Sequence, residues 1–166
     1  MLQTTQALLR ILIVLNGVLA VACVLILGVT LFGPPSVIAT IGAEYKSDIA
    51  ILVPALRQVM LLGLASFIAA HFIFRELLAI TAGVRAGMPF AAGNARRVRH
   101  IAWALLALQS FDLVFGLIAM RVETALGERI DWSFSTTGWL AVFLLFVLAR
   151  IFEHGAAMQD ELEGTV

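Results

Sequence analysis

ILIVLNGVLAVACVLILGVTLF, residues 11–32, decides the fold. It carries no charged side chain, and about 20 mostly apolar residues suffice for a helix to cross a bilayer. Three further stretches read the same way: residues 57–74, 101–120 and 134–152. Of the 166 residues, 61% are hydrophobic and only 13% charged, against roughly 25% charged in soluble domains. Four spans and their connections use nearly the whole chain. Residues 1–166 therefore read as one transmembrane domain, with no room for a separate soluble domain of about 100 residues. The expected fold is all-α, an integral-membrane four-helix bundle. The first stretch is longer than the apolar core of a signal peptide, and no A-x-A site follows it, so it reads as a retained helix.

Formal net charge is zero, which removes any global attraction to nucleic acid or anionic surfaces. Cys23 is the only cysteine and lies inside the first span, which excludes an intrachain disulfide and a multi-cysteine metal site. Orientation follows from the basic residues, because basic loops stay cytoplasmic. One side carries Arg10, Arg75, Arg85, Arg96, Arg97, Arg99 and Arg150; the other carries Lys46, Arg57, Arg121 and Arg129. That asymmetry places both termini in the cytoplasm. Trp103 and Trp132, near the inner end of span three and the outer end of span four, suit an interfacial aromatic belt.

Gly33, Pro34 and Pro35 stop the first helix, since proline lacks the N–H and clashes with the preceding turn. Residues 36–53 form the longer external loop, in which Ile49 to Val53 suit the interface. Pro54 is placed to open the second helix in its first turn. That helix is expected to overshoot the membrane, because nothing breaks it strongly before Gly87 and Pro89, and Leu77, Ile80 and Val84 keep a helical stripe. Asn94 is a fair N-cap for the third helix. The fourth span also overshoots into a tail where apolar and acidic residues alternate, although Gly155 and Gly164 weaken a continuous helix there.

Asp112 lies near the middle of the third span, where a carboxylate costs a few kcal/mol and usually faces the bundle interior or a cavity. Its candidate partners are Arg57, Gln109 and His71. The set reads either as a relay or ligand anchor, or as a structural polar clamp. His71 suits pairing with Asn16 or Gln109, and a packed histidine is the blander reading of it than a pH sensor. The cluster Arg96, Arg97, Arg99 and His100 is first a topology signal; lipid headgroups and a protein partner are its other readings. No second basic element or helix-turn-helix supports direct nucleic-acid binding. The acidic tail (Glu153, Asp160, Glu161, Glu163) complements that cluster on the same face and suggests a clamp worth about 0–1 kcal/mol per exposed pair. No metal-ligand spacing, phosphate loop, dinucleotide fingerprint or nucleophile motif occurs, so the expectation is a non-enzymatic protein without metal or cofactor. The pairs Ala65/Ala69 and Ser66/Ala70 permit close helix packing, and self-association stays open.

Two segments carry a resemblance. One is Gly87-x-Pro89-Phe90-x-x-x-Asn94-x-x-Arg97-Val98-Arg99-x-Ile101; the other is Phe152-x-x-Gly155-x-x-Met158-x-x-Glu161-x-Glu163-Gly164-Thr165-Val166. Together with the four-span layout they resemble the small bacterial membrane proteins of the domain of unknown function 2975 family. Ala91-Ala92-Gly93, Val98 and Met158 are mild departures from its pattern. The resemblance implies a bacterial inner-membrane protein of unknown activity, often encoded beside a small helix-turn-helix regulator. It therefore suggests a cytoplasmic regulator as partner and directs attention to the two segments, where the expectation is binding through Pro89, Phe90, Asn94, Arg96, Arg97, Arg99, Phe152, Gly155, Glu161 and Glu163. The alternative is a small transporter or a sensor of a lipophilic ligand, built on Arg57, His71, Gln109 and Asp112.

Overall fold

The computed structural model describes residues 2–34, 36, 49–86, 92–127 and 129–163. It contains four long helices: α1 (Leu2–Phe32), α2 (Ile49–Arg85), α3 (Ala92–Leu126) and α4 (Thr136–Glu163). Each is long and apolar enough to cross a membrane, so the chain is an all-α, multi-pass membrane protein.

The helices overrun the apolar spans, and three local expectations change. Ile49 to Val53 belong to α2, which leaves Pro54 inside the helix instead of at its first position. Pro54 is exposed and stands in the second turn, past the first four N–H groups that a helix leaves free, so its missing N–H removes one bond from the ladder. Asn94 is not an N-cap, because α3 begins at Ala92. Its side chain is fully buried and accepts a hydrogen bond from Arg97 Nη1 at 3.0 Å. Gly155 does not interrupt α4, which continues to Glu163. Gly127, at φ 71°, ends α3, its N–H donating to the Glu123 carbonyl at 2.8 Å; the left-handed conformation is the glycine's role at that stop.

The helices pack in chain order, α1 on α2, α2 on α3 and α3 on α4, and among the described residues no other pair packs comparably. The bundle is thus an open row and not a closed ring. Among the described residues helix α1 packs mainly on one neighbour, α2, and presents Ile11, Val18, Leu25 and Phe32 outward.

Lipid tails are as apolar as leucine, so burial alone does not hold α1 to the row; hydrogen bonds and close fit must. The first span supplies them at every seventh residue. Asn16 Nδ2 donates to the Phe67 carbonyl at 3.0 Å, Cys23 Sγ reaches the Met60 carbonyl at 3.5 Å, and the Thr30 carbonyl accepts from Arg57 Nη2. Leu9 extends the same buried line. A seven-residue repeat keeps one seam of a helix facing its partner. Arg57 does a second job there. It caps one of the last carbonyls of α1, where a cation is favoured by the helix dipole.

Helix α4 uses the same period, with Val142, Ala149 and Ala156 buried. Its seam on α3 is read from end to end. Arg99 meets Glu153, Trp103 meets the edge of Phe146 at 5.2 Å between centroids, and Gly138 lies against Gln109. The Gln109 amide occupies the space a β-carbon at Gly138 would need.

These pairings put the charges at two levels. Arg10, Glu76, His100 and Glu153 mark one; Thr30 with Arg57, and Arg121, mark the other. On α1 the levels are twenty residues apart, about 30 Å at 1.5 Å per residue, which matches the hydrocarbon core of a bilayer.

Replacing Asn16 with leucine removes the central bond of the α1 seam. The expected cost is about 1 kcal/mol of stability, read by detergent-denaturant titration, while Leu15→Val on the lipid face changes nothing measurable.

Candidate functional site

The polar groups converge most densely at the arginine-rich end. Glu76, from α2, is joined by two residues of α3: His100 Nδ1 at 2.9 Å and Arg97 Nε at 3.8 Å. Arg99, between them in sequence, turns the other way and binds Glu153 of α4 at 2.7 Å. Arg150 lies 3.7 Å from the other oxygen of Glu153. Helical spacing explains the division, since positions 97 and 100 share a face one turn apart and 99 points elsewhere. The result is a chain of ion pairs running α2–α3–α4 across one end of the row. Arg96 is exposed and makes no ion pair among the described residues. His154 Nδ1 sits 3.0 Å from the Arg150 carbonyl, a contact within its own helix.

Of the expected clamp between the C-terminal tail and the basic cluster, one contact is present, Glu153 on Arg99, but it lies within α4, which continues as a helix to Glu163 instead of folding back. The side chains of Asp160, Glu161 and Glu163 lie outside the described residues, as do Pro89 and Phe90. Phe152 and Gly155 are half-buried in α4, one residue before and two residues after Glu153. Glu76 was not foreseen as a partner. The signal for it was its place in the only Arg-Glu step at the inner end of span two.

The intramembrane set does not assemble. No hydrogen bond or ion pair joins any two of Arg57, His71, Gln109 and Asp112. Arg57 is engaged with α1, and its Nε is buried without a partner. His71 lines a groove of about 360 Å³ between α1 and α2 together with Asn16, but Asn16 gives its hydrogen bond to the Phe67 carbonyl and not to the histidine. Gln109 faces α4, its Nε2 3.5 Å from the Ser135 carbonyl.

Asp112 accepts instead from Trp132 Nε1 at 3.4 Å. That contact corrects the reading of Trp132 as a belt residue. The connection after Gly127 is not helical, and it returns along α3 until Trp132 lies against Gly116, where a β-carbon would stand 2.5 Å from the ring. Asp112 is nine residues inward of Arg121, about 14 Å along the helix. Non-helical backbone at such depth is tolerated only where it is covered by protein or lines water. Asp112 therefore faces a polar notch built by the α3–α4 connection, and Ser133 and Ser135 there are exposed.

A second groove, about 660 Å³, runs between α2 and α3 and ends at Glu76 and His100. Among the described residues no three His, Cys, Asp or Glu side chains converge as metal ligands would.

Comparison with known proteins agrees with the resemblance of the two segments. The model of the family described as protein of unknown function (DUF2975) matches residues 2–166, and the chain belongs to that family. No curated protein and no solved structure matches.

The Arg99 and Glu153 side chains are 49% and 32% exposed, so their coupling should be small. A double-mutant cycle of Arg99→Ala and Glu153→Ala is expected to give no more than about 1 kcal/mol. Gly116→Ala, by contrast, should displace Trp132 and cost about 1–3 kcal/mol, with a red shift of tryptophan emission.

Proposed function

We propose that this member of the DUF2975 family is a non-enzymatic adaptor of the bacterial inner membrane. In this reading both termini are cytoplasmic, and the arginine-rich end holds a soluble partner protein. The observation that carries it is the Arg99–Glu153 bridge at 2.7 Å, a solvent-exposed ion pair between two helices. Such a pair stabilises the fold little, so an acidic partner surface can displace Glu153 from Arg99 at small cost. Arg96, beside it, makes no ion pair among the described residues and adds steering. Helix α2 continues ten residues beyond Arg75 to Arg85, roughly 15 Å. That extension offers Ile80 and Val84 as apolar contacts next to the charges. A small helix-turn-helix regulator is the partner that the family resemblance suggests.

Affinity capture from native membranes tests this. Wild type should retain a regulator that Arg97→Ala and a chain truncated after Phe152 both lose, while Asp112→Asn keeps it. The same soluble composition for all four chains would contradict the proposal. Loss with Asp112→Asn alone would move the function to the polar notch, and with it to a transporter or ligand sensor.

A further inference from the structure

The groove between α2 and α3 has two unlike parts. Its walls are apolar, with Ala65, Ala69 and Phe72 from α2 and Ala104, Ala107 and Phe111 from α3. Its mouth at the arginine-rich end is charged, framed by Glu76 and His100. From His100 to Phe111 it runs eleven residues along α3, about 16 Å, or half the thickness of the apolar layer. It therefore opens within a single leaflet. Apolar space of this kind does not hold water, and at this depth the material at hand to fill it is hydrocarbon.

The charge at the mouth is not balanced. Glu76 is already shared between Arg97 and His100. Arg96 lies one turn before His100, on the same face that supplies the groove wall, since 96, 100, 104, 107 and 111 follow helical spacing. It is exposed and unpaired among the described residues. Among the described residues, Arg96 and Arg97 stand on this side of α3 against Glu76, while Arg99 and Arg150 face Glu153 on α4. A chain-length apolar groove that ends in surplus positive charge matches an amphiphile with an anionic head. Basic pockets between transmembrane helices take such headgroups. The groove beneath Arg121 at the opposite end is smaller, about 360 Å³, and has a single cation.

We infer that the α2–α3 groove is a binding site for an anionic phospholipid. One acyl chain lies against Ala69, Phe72, Ala104 and Ala107, and the phosphate is held by Arg96 with His100. A zwitterionic lipid fits the walls equally but brings its own cation toward Arg96, so the headgroup charge supplies the selectivity. This site rests on the groove and its mouth and does not depend on the proposed partner.

The test is native mass spectrometry of the detergent-purified chain, titrated with phosphatidylglycerol or phosphatidylcholine of identical acyl chains. The wild type should bind phosphatidylglycerol about fivefold more tightly, the value of one cation near a lipid headgroup. Arg96→Ala should abolish that preference while phosphatidylcholine binding stays unchanged. Ala104→Leu, which fills the groove, should weaken both lipids. Arg121→Ala should leave the preference intact, and circular dichroism should show unchanged helix content in each variant. Equal binding of the two lipids by wild type would overturn the assignment. So would a preference that survives Arg96→Ala and Ala104→Leu, or one abolished by Arg121→Ala. Displacement of the lipid by glycerol phosphate alone would show a headgroup site without a chain groove and would also overturn it.

Discussion

A bilayer gives two apolar helices no reason to prefer each other over lipid. Every helix contact in this protein answers that constraint with a hydrogen bond, an ion pair or a close approach. The first helix shows the pure case. It is apolar on all sides, with Asn16, Cys23 and Thr30 as its polar residues between positions 11 and 32; the Asn16 and Cys23 side chains bond to α2, while the Thr30 hydroxyl bonds to Leu27 in its own helix and its backbone carbonyl accepts from Arg57. The α3–α4 seam mixes the devices: an ion pair at one end, an aromatic edge contact next, then Gly138 under Gln109. Because each seam is narrow, each helix binds its sequence neighbours and the row stays open.

The same solvent sorts the charges. Within the described helices, between the two levels about 30 Å apart, Asp112 is the only acidic residue, while Arg129 and Asp131 lie on the connection that returns along α3. Asp112 is tolerated because the α3–α4 connection folds back and brings Trp132 to it. The remaining charges collect at the ends, and the arginine-rich end gathers enough of them to link three helices through Glu76 and Glu153. The arginine and histidine partners are partly exposed, while Glu76 and Glu153 are half-buried between the helices.

The four spans were legible because length and apolarity are properties of the chain itself. The Glu153 contact with the basic cluster was legible too, from charge complementarity on one face. The partner of Asp112 was not. An aromatic near a span end reads as a belt residue, and nothing local reveals that residues 129–135 return into the apolar layer. Asn94 misled in a similar way: asparagine before an apolar run resembles a cap, but here the side chain is buried and bonded to Arg97. Glu76 required the register of α2 on α3, which only packing fixes. The α1 seam is different. Its seven-residue spacing of Asn16, Cys23 and Thr30 was present in the sequence, and a search for polar period within the apolar run finds it.

The claim on which the rest depends is that the charges mark the two faces of one bilayer, with the arginine-rich end inside. Single cysteines on a Cys23→Ser background test it directly, by labelling with a membrane-impermeant maleimide in intact cells and in inverted vesicles. The account predicts that Thr124→Cys labels from outside, Arg96→Cys labels only in inverted vesicles, and Leu117→Cys labels in neither. Labelling of positions 96 and 124 from the same side, or ready labelling at 117, would contradict it.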